Sequence, residues 1–220
     1  MRALTPLEAR VLGVLVEKQS TVPDTYPLSL NALLAGCNQK TARDPVINAT
    51  EAEVLTAVDG LKSLSLVFEG AGSRVVRFEQ NMARVYALPA ASVALLATLM
   101  LRGPQTAAEL RLHCERLHRF ADISSVEGFL EELAAKEPPR TVRLPRAAGA
   151  REARWAHLLC GEVACHADSA DRATAPAGDG GVSAGEIAAL KAEQARLADE
   201  LARLRARVQR IGAELGIDLD

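Results

Sequence analysis

The sequence predicts a mainly α-helical fold with small β-hairpin wings, in which tandem winged-helix domains are followed by a C-terminal coiled-coil helix. Three observations predict it: repeated helix-capping signals, short segments of strand-like alternation, and a heptad of aliphatic residues near the C-terminus. Aromatic residues make up only 3% of the chain. The cores must therefore be built mainly from Leu, Val and Ala, which favours helices over strands.

Five helix starts are indicated by a Ser or Thr that stands three residues before a Glu and opens an apolar-periodic run. In this capping box the hydroxyl accepts a hydrogen bond from an amide of the first turn, and the Glu carboxylate accepts one from the amide of the capping residue. The pairs are Thr5/Glu8, Thr50/Glu53, Thr106/Glu109, Ser124/Glu127 and Ser183/Glu186.

Residues 1–88 are predicted to form the first winged-helix domain. A helix over 6–18, a short helix from Ser29 and a third helix from Thr50 precede a change of apolar period from 3.6 to 2. The runs 66–69 and 74–79 then flank a Gly-rich turn, which is a hairpin signal. The third helix is expected to place these residues on its inward side: Val54, Leu55, Val58, Leu61 and Leu64.

Residues 89–160 repeat the same order and are predicted to form the second winged-helix domain. A helix over 91–101 stops at Gly103, two further helices start at Thr106 and Ser124, and the runs 141–144 and 154–159 are able to pair as strands. The duplication rests on element order alone, because sequence identity between the halves is not evident.

The C-terminal part is predicted to be a flexible linker, 161–182, followed by a coiled-coil helix, 183–217. The linker is rich in Ala, Gly and Asp and lacks periodicity. The helix carries an apolar heptad that needs a partner, so we expect a homodimer; docking of the helix on its own domains is the alternative. The expected seam is Ile187, Leu190, Gln194, Leu197, Leu201, Leu204, Val208, Ile211 and Leu215.

Several separated motifs in residues 4–160 resemble the YceH family. They are Leu-Ser-Leu-Asn-Ala-Leu at 28–33, Cys-Asn-Gln-Lys at 37–40, Arg-Asp-Pro-Val at 43–46, Gly-Ser-Arg-Val at 72–75, Leu-Arg-Gly-Pro-Gln-Thr at 101–106 and Arg-Trp-Ala-His-Leu-Leu at 154–159. The coiled-coil tail is also typical of that family. The resemblance implies a tandem winged-helix fold and no established activity, so it leaves the function open.

The candidate nucleic-acid contacts are local, because the net charge of −2 gives no global basic field. The loop 38–47 lies where a helix-turn-helix approaches DNA, and arginines follow on the wing and in the second half. The candidates are Asn38, Gln39, Lys40, Arg43, Arg74, Arg77, Arg111, Arg116 and Arg119.

A structural interpretation of the same residues stays open. Asn38 and Asp44 are able to cap helix ends, and Arg43 is able to pair with a carboxylate. In addition, Glu51 and Glu53 begin the third helix, where carboxylates repel phosphates. The arginines of the second half are interrupted by carboxylates, so a solvated surface explains them equally well.

Catalytic, metal and membrane functions find no support in the motifs. The chain has no nucleophile elbow, phosphate loop or His-Glu-x-x-His sequence, so we expect no enzyme and no cofactor. Cys37, Cys114, Cys160 and Cys165 lack the close pairing of zinc ligands and are expected to be reduced thiols. Without an apolar run of about 18 residues or a secretory signal, we expect a cytoplasmic protein outside the membrane.

Two functions therefore remain as hypotheses. The first is a dimeric, DNA-associated transcriptional regulator, preferred by analogy because nucleic-acid binding is the commonest use of the winged-helix fold. The second is a scaffold that docks a protein partner through the same surfaces and binds no nucleic acid.

Overall fold

The fold is mainly helical with two small antiparallel sheets, as seen in a computed structural model that describes residues 2–70, 75–146 and 152–162. The first half contains a 3-10 turn at Pro23–Thr25 between its first helix and first strand. Its helices and strands are α1 (Pro6–Thr21), β1 (Leu28–Ser29), α2 (Leu30–Cys37), α3 (Glu51–Ser63), β2 (Val67–Gly70), β3 (Arg77–Gln80) and α4 (Met82–Val85).

The second half repeats the sequence of three helices followed by a strand pair. Its first helix is followed by the capping residue Gly103, whose φ of 72° suits a residue without a Cβ. Its elements are α5 (Ala90–Arg102), α6 (Ala107–His113), α7 (Ile123–Ala134), β4 (Thr141–Arg143) and β5 (Trp155–His157).

The capping boxes at Thr5, Thr50 and Thr106 are confirmed, because both reciprocal hydrogen bonds are present at each. The prediction at Ser124 is wrong. The helix α7 begins earlier, and its cap is Asp122, whose Oδ1 accepts a hydrogen bond of 2.7 Å from the Ser125 amide. A carboxylate is a strong capping acceptor, and here it takes the role that the sequence assigned to the Ser hydroxyl.

Both predicted hairpins are present as antiparallel strand pairs. In the first sheet, in the order β1-β3-β2, Val67 pairs with Gln80 and Gly70 with Arg77. The short strand β1 is an addition that the sequence did not indicate. In the second sheet β4 pairs with β5, and Trp155 also bridges to Gln105.

The two halves share a continuous aliphatic core, in which α1 packs against α5. The approach is close at Gly13, where an added Cβ would lie 3.0 Å from Cγ of Leu101. Backbone hydrogen bonds of 2.8 Å also join the halves, from the Leu4 amide to the Leu159 carbonyl and from the Asp44 amide to the Leu101 carbonyl. Residues on both sides of the predicted boundary at residue 88 therefore contribute to one core.

The third helix confirms most of its predicted stripe, with one correction. Val54, Val58 and Leu61 are fully buried, whereas Leu55 is 42% exposed. The reason is geometric: Leu55 follows Val54 by one residue, which rotates its side chain by about 100° around the helix axis and away from the core.

The linker from residue 163 onward and the predicted coiled-coil helix 183–217, with all nine seam residues and the cap at Ser183, lie outside the described residues. So do Arg74 and Cys165. Within the described ranges, no helix has both the length and the hydropathy needed to cross a bilayer.

Replacing two helical glycines by Ala should change stability in opposite directions. At Gly36 in α2 an added Cβ would lie 2.6 Å from Cγ1 of the buried, β-branched Val14, so Gly36→Ala should lose about 1–2 kcal/mol through overpacking. At Gly128 in α7 nothing lies within 4 Å of the added Cβ. Gly128→Ala should therefore gain about 0.5–1 kcal/mol of helix propensity.

Urea denaturation of both variants measures these changes in the free energy of unfolding. Stabilisation by Gly36→Ala would contradict the close packing of α2 on α1.

Candidate interaction surfaces and a cleft between the halves

The loop 38–50, which joins α2 to α3, is closed by the side chain of Asn38. Its Nδ2 donates a hydrogen bond of 2.8 Å to the Ala49 carbonyl, and its Oδ1 accepts one of 2.8 Å from the Ala49 amide. The two bonds hold the ends of the loop together immediately before the cap of α3. Because both sides of the amide are engaged, Asn38 acts within the protein in this conformation.

Arg43 belongs to the same loop, and its side chain is buried with no exposed surface. Its Nη1 and Nη2 donate to the two carboxylate oxygens of Glu17 at 3.2 and 2.6 Å, and its Nε donates to the Gly36 carbonyl at 3.1 Å. Burial raises the pKa of Glu17, but the hydrogen bonds and charge of Arg43 outweigh it, so that pKa is lowered. The arrangement is the carboxylate pairing that the sequence left open as the structural interpretation, and it leaves no part of the guanidinium for a phosphate.

Other candidate contacts in the first half are partly engaged. Arg77 donates from Nη1 to the carbonyls of Thr25 and Pro27 at 3.2 and 2.8 Å, which ties β3 to the segment before β1. Gln39 donates from Nε2 to the Thr41 carbonyl at 3.0 Å. Lys40 is exposed.

The candidate residues of the second half are more accessible. Arg111 is exposed and donates one hydrogen bond of 3.2 Å to the Ala121 carbonyl. Arg116 and Arg119 are exposed. Within 89–146 and 152–162, no arginine has a carboxylate oxygen within 4.0 Å. The structure thus separates the eight candidates that it describes into two groups of four. Asn38, Gln39, Arg43 and Arg77 are bonded within the first half. The exposed candidates are Lys40 in the first half and Arg111, Arg116 and Arg119 in the second half.

The outer face of α3, here called the α3 surface, consists of Glu51, Leu55, Asp59 and Lys62. These residues are spaced by three or four positions and therefore share one face. Lys62 is engaged by carboxylates: its Nζ lies 3.5 Å from Oδ1 of Asp59 and 2.6 Å from Oε2 of Glu69 on β2. The surface therefore presents an exposed leucine between carboxylates, with its single cation neutralised.

A cleft of about 560 Å³ lies between the halves, here called the junctional cleft. Its walls come from the start of α1, the loop 44–49, the end of α5 and the segment after Ala156. Most of the lining is apolar, including Leu7, Ile47 and Met100. Sequence reasoning missed this site because its walls come from four separate segments and no local motif marks it.

Arg10 of α1 lines the junctional cleft and is 3% exposed. Its Nη1 and Nη2 donate to the carbonyls of Cys37 and Pro45 at 3.3 and 2.7 Å. The Nε atom is buried without a hydrogen-bond partner, and no carboxylate of the described residues lies within 4.0 Å of the guanidinium. Burial, followed by the nearby charge of Arg43, lowers the pKa of Arg10.

His157 of β5 lines the same cleft. Its Nδ1 is buried and has no hydrogen-bond partner among the described residues. Burial lowers the pKa of His157 to about 4, so the imidazole is neutral at pH 7.

The thiols of Cys37 and Cys114 show no sign of activation. Burial raises the pKa of Cys37 to about 12 and that of Cys114 to about 11, so both remain protonated at neutral pH. In the part of the chain that the structure describes, no three His, Cys, Asp or Glu side chains gather as metal ligands would.

The class of protein defined so far is a mainly helical protein with duplicated element order and a cleft between its halves. Comparison with known proteins identifies its family. Residues 4–150 match the family described as "Protein of unknown function, DUF480". A UPF0502 protein of Leptothrix cholodnii is 67% identical over 100% of this chain and 98% of its own length. UPF0502 proteins of Burkholderia cenocepacia and Burkholderia multivorans are 68% and 67% identical, over 100% of this chain and 92% of theirs.

The chain belongs to this family, the YceH or UPF0502 family, which confirms the resemblance indicated by the sequence motifs.

The buried imidazole of His157 should make stability depend on pH. Its pKa falls from 6.5 to about 4 on folding, so the unfolded chain binds the proton first as the pH decreases. Stability contributed above pH 6.5 is therefore lost as the pH falls toward 4, and wild type should lose about 2 kcal/mol more than His157→Gln between pH 7 and pH 4.5.

Urea denaturation of both chains at the two pH values measures the difference. Equal losses would show that the imidazole is not desolvated in the folded protein.

Proposed function

We propose that the protein is a non-enzymatic interaction protein whose α3 surface docks a basic segment of another protein. The observation behind this proposal is the combination of an acidic, leucine-bearing α3 surface with the internal use of Asn38, Arg43 and Arg77. These three candidate DNA contacts of the first half are bonded within the protein, and Lys40 is the exposed cation among the described residues of the loop 38–50. The α3 surface is accessible and carries the carboxylates of Glu51 and Asp59.

The proposed architecture is a pair of winged-helix units. In the first half α1, α2 and α3 precede the β2-β3 hairpin, and in the second half α5, α6 and α7 precede β4 and β5. Three helices followed by an antiparallel hairpin is the winged-helix order. In that arrangement α3 and α7 occupy the position of a recognition helix.

Charge on α3 argues against insertion into a DNA groove. Glu51 and Asp59 would approach phosphates, and the cation of Lys62 is already compensated by Asp59 and Glu69. DNA binding is driven by protein cations that neutralise phosphates and release their counterions. A carboxylate near the DNA backbone repels the phosphates and weakens this effect. A basic peptide meets the same carboxylates favourably, and Leu55 supplies an apolar contact at the centre.

DNA association through the second half is the other candidate function. Arg116 and Arg119 are exposed and have no ion-pair partner among the described residues. Arginines without partners are available for phosphate contacts, and binding through them would weaken steeply with added salt.

We further propose that the heptad over 187–215 makes the protein a homodimer. Nine seam positions over four heptads, with Gln194 as their single polar residue, meet the length at which a coiled coil is expected. Dimerisation would present two copies of the α3 surface on one particle and raise their combined affinity for a bivalent partner.

A cation introduced on the α3 surface should abolish protein capture. Leu55→Arg places a cation at the centre of this surface, and Leu112→Arg makes the same change at a 68% exposed position of α6. Nuclease-treated lysate of a related Burkholderia is passed over each immobilised chain and over wild type. The expected result is a stoichiometric basic partner that Leu112→Arg retains and Leu55→Arg loses by more than about tenfold.

Retention of the partner by Leu55→Arg would contradict docking through α3. If wild type captures a partner from untreated lysate but not from nuclease-treated lysate, and a gel shift with genomic DNA fragments is lost in the Arg116→Ala/Arg119→Ala double variant, DNA association replaces the proposal.

Lysines in the heptad seam should separate the dimer. Leu197→Lys with Leu204→Lys buries two like charges per chain at d positions, while Ala202→Lys at a b position adds a solvated charge. Sedimentation equilibrium at micromolar concentration should show a dimer for wild type and Ala202→Lys and a monomer for the double variant. A wild-type monomer would rule out self-association through this helix.

A further inference from the structure

The junctional cleft contains a buried positive charge that has no carboxylate oxygen of the described residues within 4.0 Å, although the more distant Asp44 carboxylate favours the charged form. Arg10 is 3% exposed, and its two hydrogen-bond acceptors are neutral carbonyls. Burying an ion without a counter-ion is costly, and such groups are usually paired. Arg43, the neighbouring buried arginine, has the bidentate carboxylate that Arg10 lacks.

The volume and lining of the cleft fit a small molecule. A volume of about 560 Å³ lies within the range of ligand pockets, and such pockets prefer the boundary between structural units. Apolar side chains such as Leu7, Ile47 and Met100 would cover most of an apolar ligand. A few polar groups then orient it.

His157 is a second polar residue that lines the cleft. It comes from the other half of the protein, so it is an observation independent of Arg10. Its buried Nδ1 has no partner among the described residues, although buried polar atoms are usually hydrogen-bonded. The neutral imidazole places no second cation in the cleft. It is able to form a hydrogen bond with a ligand once a small movement of the side chain admits one.

The carboxylates of Asp44, Glu53 and Glu162 also line the cleft, and they limit the charge of its ligand. All three residues are exposed, so water screens their charges. Arg10 is desolvated, so its field is strongest inside the cleft. A single negative charge is therefore favoured at Arg10, whereas a polyanion would extend toward the carboxylates and be repelled.

We propose that the junctional cleft binds a small, mostly apolar monoanion, whose charged group pairs with Arg10 while its apolar body fills the space between the halves. The ligand would contact Ile47 and Ala49 of the loop that leads into α3, so its occupancy would bear on the position of that loop. This site is separate from the α3 surface. Ligand binding in the cleft does not require that the α3 surface docks a protein.

The test uses two probes that differ by one charge. The first, 1-anilinonaphthalene-8-sulfonate, is an apolar monoanion, and the second, N-phenyl-1-naphthylamine, is the same ring system without the sulfonate. The full-length chain should bind one sulfonate probe per chain, with energy transfer from Trp155, which directly precedes the lining residue Ala156. The uncharged probe should bind several-fold more weakly because it cannot pair with Arg10.

Two tryptophan substitutions locate the probe, read by its emission under direct excitation. Ile47→Trp fills the cleft and should weaken binding of the sulfonate probe by about tenfold or more. Val46→Trp is the matched control: it is the preceding residue, is 56% exposed, lies outside the lining and should leave affinity within about twofold. Thermal denaturation confirms that both variants are folded.

Equal affinity of the two probes would contradict the preference for a monoanion. Equal effects of Ile47→Trp and Val46→Trp on the affinity of the sulfonate probe would show that the probe binds outside the cleft. No saturable binding by the folded wild-type chain would overturn both. None of these outcomes depends on the capture experiment with Leu55→Arg, so failure of the cleft and failure of the α3 docking surface are distinguishable.

Discussion

The attachment of loop 38–50 to the first helix by two buried arginines determines much of the structure around it. Arg43 donates to the carbonyl of Gly36, and Arg10 donates to the carbonyl of Cys37. Both carbonyls lie in the last turn of α2, where no later amide of the helix remains to bond them. The same two side chains bond Ala42 and Pro45 within the loop. The end of one helix and the path to the next are therefore fixed together.

This attachment explains why α1 is buried along most of its length rather than on one stripe. Residues 8–16 are all buried, including the charged Glu8 and Arg10. One side of α1 packs on α5 and forms the shared core. Another side carries Arg10 and Glu17, which hold the loop 38–50. The junctional cleft lies between α5 and the loop, beside α1. Its buried cation is Arg10, which is buried because it holds the loop.

The elements that depend on local sequence were predictable. Capping boxes at Thr5, Thr50 and Thr106 mark helix starts because their bonds join residues three positions apart. The cap of α7 was missed because Asp122 and Ser124 both have capping side chains, and the sequence does not decide between them. The partner of Arg43 is Glu17, 26 residues away. Such pairs, like the cleft walls, depend on tertiary packing, which has no local signal.

The claim that a buried Arg43–Glu17 pair anchors the loop is tested most directly by a double-mutant cycle of Arg43→Ala and Glu17→Ala, followed by urea denaturation. The Arg43 side chain has no exposed surface and that of Glu17 is 16% exposed, so solvent screens the pair weakly. If the pair anchors the loop, the coupling free energy between the two residues should be about 2 kcal/mol or more. A coupling below about 0.5 kcal/mol would contradict it, because the two side chains would then contribute to stability independently.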